Sequence, residues 1–114
     1  MPRDLRKTCF DISQAIAEIE EFTANKTFAE YKVNRMLKMA IEREYEIIGE
    51  ALRRMETDFP AQFLQISDGR RIIDFRNLLA HGYDSVADEI VWSVTENNLK
   101  ILKKEIGQIF EELE

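Results

Sequence analysis

At 114 residues the chain is long enough to bury one core and too short to hold a second. Hydrophobic residues make up 45% and charged residues 33%, with four glycines and two prolines, a balance that excludes a disordered chain and favours long helices over many turns. A net charge of −6 excludes nucleic-acid binding driven by the whole surface, while leaving room for a local basic site.

No apolar run reaches the roughly eighteen residues of a membrane span, so none is expected. The opening run from Met1 to Lys7 lacks the apolar stretch of a secretory signal. Cys9 has no second cysteine to pair with, and its place in an apolar stripe predicts a packed thiol. Together these point to a cytoplasmic protein without membrane contact.

In chain order, Leu5, Cys9, Ile12, Ile16 and Ile19 recur at helical spacing and predict an amphipathic helix from residue 4 to about 22. Residues 23–26 break it. Thr27 followed by Glu30 is a capping-box pattern that opens a second helix. Val33, Leu37, Ile41, Ile48, Leu52 and Met55 carry that helix to about Thr57, with Gly49 deep inside it. A glycine there costs about 1 kcal/mol relative to alanine, which hints at close backbone packing. Arg43 is flanked by Glu42, Glu44 and Glu46, a pattern for salt bridges within the helix; the alternative places Arg43 or Glu50 at a dimer cleft, where it would position the run from Arg76 to Tyr83.

Asp58-Phe59-Pro60 ends the second helix, and residues 60–67 form a connection with room for one helical turn. Ser67 or Asp68 is placed to cap a third helix running from about Gly69 to Ala80, with Ile72, Phe75 and Leu79 facing the core. Gly82 is placed to end it. Ser85 with Asp88 suggests a further cap before Ile90, Val91 and Val94. Asn97-Asn98 then re-caps or breaks the chain ahead of Ile101, Leu102, Ile106, Ile109 and Leu113. Residues 1–114 thus read as a single all-α domain, an antiparallel bundle of four to five helices.

The sharpest chemical signal is the run Arg76-Asn77-Leu78-Leu79-Ala80-His81-Gly82-Tyr83, which contains the chain's one histidine. Arginine brings a permanent cation with forked donors, histidine titrates near neutrality, and tyrosine presents a hydroxyl. On a helical wheel Arg70, Asp74, Asn77 and His81 share a stripe opposite the core, so His81 is expected to be accessible, with Asn77 one turn before it to orient the imidazole. Arg76 lies about 140° around from His81, so their convergence needs distortion at the helix end, the reach of the arginine chain, or a second protomer. Cleaving RNA without a metal calls for one group to accept the 2′-hydroxyl proton and another to protonate the leaving 5′-oxygen. Arginine cannot exchange protons at neutral pH, and one chain offers a single histidine. Two copies about a two-fold axis would supply two histidines and two arginines to one cleft. The bland alternative is a histidine favoured by the helix dipole and an arginine serving as a surface ion-pair partner. One Cys and one His do not make a zinc site, no glycine-rich phosphate loop is present, and Tyr31, Tyr45 and Trp92 read as packing rather than as base-stacking residues.

As a string, Arg76 to His81 resembles the signature of HEPN-domain ribonucleases, and the Gly82-Tyr83 that follows resembles the HepT toxin family, which carries His-x-Tyr. Glu46-Ile47-Ile48-Gly49-Glu50-Ala51 is similar to a helix of that family, and Glu89-Ile90-Val91-Trp92 is similar to the short helix following its motif. These segments cover most of the chain from residue 27 onward, in the expected order. Met39 and Lys100 depart from the family pattern, which often has an acidic residue and a proline there.

The resemblance implies a HEPN-like bundle, homodimerisation and metal-independent endoribonuclease activity with no cofactor. Arg76 and His81 would be catalytic and Asn77 supporting, with tRNA or mRNA cleaved by 2′-hydroxyl transesterification. It further implies the toxin of a type VII-like toxin–antitoxin pair, partnered by an MntA-type nucleotidyltransferase antitoxin that transfers AMP to Tyr83, and it leaves open a higher assembly with that antitoxin. Bulk and negative charge on Tyr83 would compete with an RNA phosphate. The competing reading is a non-catalytic HEPN module that binds nucleotides or a nucleotidyltransferase.

Overall fold

The computed structural model describes residues 2–81 and 88–113, with side chains from 5 to 79 and from 88 to 113. Helix α1 spans Pro2–Thr23 and buries the whole stripe read from the sequence: Leu5, Cys9, Ile12, Ile16 and Ile19, with Ala15 added. Each fully buried isoleucine contributes about 1.5–3 kcal/mol. Burial also pushes the Cys9 thiol up to about 11, the packed, protonated group its spacing predicted. Asn25, at φ 61°, turns the chain after α1, a conformation asparagine tolerates better than most residues.

The capping box forms as read: the Glu30 amide donates to Thr27 Oγ1 at 3.1 Å, and the Thr27 amide donates to Glu30 Oε1 at 2.8 Å. The helix it opens is short, however. α2 covers Phe28–Val33, and α3 begins afresh at Arg35 and runs to Asp58. The single long helix expected from 27 to 57 is therefore two. Asn34 makes the break by serving both ends: its amide donates to Tyr31 O at 3.2 Å, closing α2, while its Oδ1 accepts from the Leu37 amide at 3.0 Å, opening α3. Val33, read as a core position, is correspondingly exposed; Leu37, Ile41, Ile48, Leu52 and Met55 are buried.

Pro60 sits in the first turn of α4 (Pro60–Phe63), where its missing amide costs nothing. α5 covers Gly69–His81 and α6 covers Asp88–Ser93. A π-helical turn, Val94–Asn98, leads without a break into α7 (Leu99–Glu112). Asn97-Asn98 thus widens the helix instead of ending it. The cap expected at Ser85 and the helix stop at Gly82 lie outside the described residues.

Ion pairs and hydrogen bonds fix the helix directions. Asp11 meets Arg54 at 3.8 Å while Glu18 neighbours Glu44, so α1 and α3 are antiparallel. Arg70 meets Glu56 at 3.0 Å and Arg76 meets Glu50 at 2.9 Å, so α3 and α5 are antiparallel too. Arg6 donates to Leu113 O at 3.0 Å and Lys103 to Glu20 at 3.0 Å, which sets α7 antiparallel to α1. The result is an all-helical bundle of four principal helices with three short ones, and no strand among the described residues.

One apolar core joins α1, α2, α3, α5, α6 and α7. The short helices α2 and α6 pack through rings, with Trp92 at 5.3 Å from Tyr31 and 6.1 Å from Phe28 between centroids. Tyr31 and Tyr45 are fully buried, so they are packing residues as read; the Tyr45 hydroxyl lies 2.6 Å from Thr95 Oγ1 in the π-turn. Ile101, placed in the α7 stripe by its spacing, is half exposed, whereas Leu99, Leu102, Ile106 and Ile109 are buried.

Candidate functional site

The site is built on α5 where it crosses α3. The Asp68 carbonyl accepts from the Ile72 amide at 2.9 Å and starts α5. Asp68 Oδ2 accepts from Asn98 at 3.0 Å, tying that start to the π-turn. Ser67, the other cap candidate, spends its amide and hydroxyl on Glu105 of α7 instead. Ile72 and Phe75 are buried as read, Ile73 joins them, and Leu79 is half-buried. Tyr45 packs edge-on against Phe75 at 5.2 Å, locking α5 to α3 one residue before Arg76.

Gly49 explains itself here. A Cβ at this position would stand 2.5 Å from Arg76 Cγ and closer still to Arg76 Cβ, so any larger residue would collide with the arginine stem. The close helix approach that the glycine hinted at is real, and what it accommodates is Arg76.

The Arg76 side chain is 23% exposed. Its Nη2 donates to Glu50 Oε2 at 2.9 Å and its Nη1 donates to Asn77 Oδ1 at 3.0 Å. Its Nε is buried with no hydrogen-bond partner among the described residues. Asn77, expected to orient an imidazole, thus bonds the guanidinium; any bond to His81 lies outside the described side chains.

Arg76 lines an open cleft of about 230 Å³ together with Asp11, Arg43, Glu46, Ile47, Glu50 and Arg54. Each arginine there faces a carboxylate: Arg43 meets Glu46 at 3.4 Å, Arg54 meets Asp11 at 3.8 Å, and Arg76 meets Glu50. The intrahelical pairing read for Arg43 holds. Glu50 instead bridges to the motif, a partner that the sequence named only as an alternative. Asp11 and Arg54 carried no signal of their own, since an isolated acid on α1 and a base on α3 look like solvated surface.

On the other flank of α5, Ile72, Phe75, Leu78, Ile90 and Val94 line an open, largely apolar groove of about 410 Å³. Further basic side chains near α5 and α3 are paired: Arg70 with Glu56 and Asp74, Arg71 with Asp68, and Lys38 with Asp88. His81 is the last residue of α5, five positions after Arg76; its side chain, and Tyr83 altogether, lie outside the described residues. Among the described residues, no three His, Cys, Asp or Glu side chains gather as a metal-ligand set. No helix among them is long and apolar enough to cross a membrane.

The fold is thus an all-helical bundle in which an arginine of α5 sits against Gly49 and Glu50 of α3 at the mouth of a cleft, on the helix that ends in the chain's one histidine. The chain belongs to the HepT-like ribonuclease family, whose model, "Ribonuclease HepT-like", matches residues 12–109. It is 30% identical over 104 residues to "Putative RNase MJ1380" of Methanocaldococcus jannaschii, an alignment covering 91% of this chain and 94% of the relative. "Putative RNase MJ0127" of the same organism is 30% identical over 115 residues, covering 100% of this chain and 94% of the relative. "Probable ribonuclease HepT" of Thermococcus cleftensis is 31% identical over 103 residues, covering 90% and 93%. No solved structure gives a significant match.

Proposed function

We propose that this chain is a metal-independent endoribonuclease, the toxin of a type VII-like toxin–antitoxin pair, acting as a homodimer through Arg76 and His81. The observation that carries the reading is the held guanidinium: Arg76 is fixed by Glu50 and Asn77 at a cleft mouth, on the helix that ends in His81. Membership of a ribonuclease family makes RNA the substrate class.

In this reading an RNA 2′-oxygen attacks the adjacent phosphorus and its proton passes to a neutral imidazole. The bond from phosphorus to the 5′-oxygen breaks, and the departing oxygen takes a proton from an imidazolium. The products are a 2′,3′-cyclic phosphate and a free 5′-hydroxyl. Arg76 stabilises the charge that builds on the phosphoryl oxygens, a task for a fixed, permanently charged fork. The second imidazole comes from the partner protomer. Transfer of AMP to Tyr83 by an MntA-type nucleotidyltransferase antitoxin would put a phosphate two residues from His81 and repel the substrate backbone.

The test incubates total RNA with EDTA and either the native protein, shown by mass to be unmodified at Tyr83, or its His81→Ala variant. Fragments ending in 2′,3′-cyclic phosphate from the native protein alone are expected. Absence of cleavage by both would turn the reading to a nucleotide- or nucleotidyltransferase-binding module.

A further inference from the structure

We propose that Glu50 is a positioning residue for Arg76, and that Gly49-Glu50 on α3 forms a seat in which the arginine is presented to substrate. The inference deepens the nuclease reading and rests on it for its catalytic consequence. The seat has two parts from adjacent residues. Gly49 leaves the space that the arginine stem fills, since a Cβ there would fall 2.5 Å from Arg76 Cγ. Glu50 then takes one edge of the guanidinium at 2.9 Å, and Asn77 takes the other at 3.0 Å.

A guanidinium carries five N–H donors in one plane. Two are spent on Glu50 and Asn77, and the Nε is buried without a described partner. Among the described residues the second hydrogen on each of Nη1 and Nη2 has no acceptor, which leaves both to meet phosphate oxygens. Fixing both edges sets the plane of the fork, which is what separates a bidentate phosphate contact from a point charge. The alternative assignment, that Glu50 simply balances charge, leaves the glycine beside it unexplained. Nearly half of the Glu50 side chain is exposed, so the contact lies at the cleft mouth and not in the core. Replacement there is compatible with folding.

The experiment compares native protein with Glu50→Gln and Glu50→Asp, reading both catalysis and the arginine itself. In ¹⁵N-labelled protein, the Arg76 Nη signals report rotation of the guanidinium about its Nε–Cζ bond, and this needs no cleavage. Glu50→Gln is expected to free that rotation and to lower kcat by about tenfold or more, with KM nearly unchanged, because a misaligned fork loses transition-state contact before it loses binding. Glu50→Asp, which keeps the charge one methylene short, should recover part of the rate. Unchanged Arg76 signals and unchanged kcat in Glu50→Gln would overturn the proposal. So would a rise in kcat, which would make Glu50 a competitor that withholds the arginine. If the native protein cuts no RNA while Glu50→Gln still releases the guanidinium, the seat stands and the nuclease reading falls.

Discussion

Glu44 faces α1 from the buried side of α3, with only 8% of its surface exposed. Its Oε1 meets no donor, and the neighbouring Glu18 carboxyl can bond it only if one of the two holds a proton. Burial first, then that bond and the charge of Glu18, push Glu44 up to about 7 against the partial relief of Arg43. A carboxyl whose folded value exceeds its unfolded 4.5 binds more protons in the native state between the two. Stability is therefore full below about 4.5 and declines as pH rises through 7. Urea unfolding at pH 5 and pH 8 should show a loss of about 1–3 kcal/mol that Glu44→Gln abolishes. An equal loss in native protein and Glu44→Gln would mean the pair is ionised and solvated throughout. Arg76, Asn77 and His81 were marked by spacing within one helix, whereas Glu50 was named only as an alternative beside Arg43, with nothing in the spacing to join it to the arginine. Gly49 was the available signal, an expensive residue in a helix interior, and it pointed to a close approach without naming the arginine that makes it.

Elements were readable where local chemistry and apolar period agreed. The α1 stripe, the Thr27 box and the Pro60 turn each carry their own cause within a few residues. Asn34 was not readable: Lys32-Val33-Asn34-Arg35 contains no glycine or proline, and the apolar spacing from Val33 to Leu37 continues as though one helix ran through. What decides for the break is tertiary, because Tyr31 must reach Trp92 while Leu37 reaches the bundle core. The π-turn escaped for a related reason. Buried Val91 is followed by buried Leu99 and Leu102, one residue later than an α-helical repeat of seven would place them, and the wider turn absorbs the extra residue. Thr95 donates to Val91 O at 2.8 Å inside that turn and holds Tyr45 from α3. The Asn34 side chain caps α3, while α2 is closed by the Asn34 backbone amide, which alanine keeps, so Asn34→Ala should cost about 1 kcal/mol, the ordinary cost of one lost cap. The check is chemical denaturation together with amide exchange. Faster exchange at Leu37 and Lys38, with α1 unaffected, is expected, and a cost near zero would show that α2 and α3 can join into one continuous helix.

At the scale of the whole molecule, the chemistry proposed for His81 needs two imidazoles, and the chain has one. Two copies must then meet against the mutual repulsion of a net charge of −6 on each. Salt consequently acts on the two associations in opposite senses. Screening weakens the repulsion between protomers and tightens the dimer, while the same ions weaken an arginine's hold on phosphate. Cleavage measured at fixed RNA should therefore pass through a maximum as salt is raised when protein is dilute, and should only fall when protein is concentrated enough to be dimeric throughout. Specific activity at low salt should likewise drop on dilution below the dimer dissociation constant. Sedimentation equilibrium under the same conditions supplies the dimer fraction to set against the rate. Activity that follows the dimer fraction assigns the reaction to two copies. Undiminished specific activity in a solution shown to be monomeric would refute the shared cleft, and one chain would then have to supply the second proton-transfer group from a residue other than histidine.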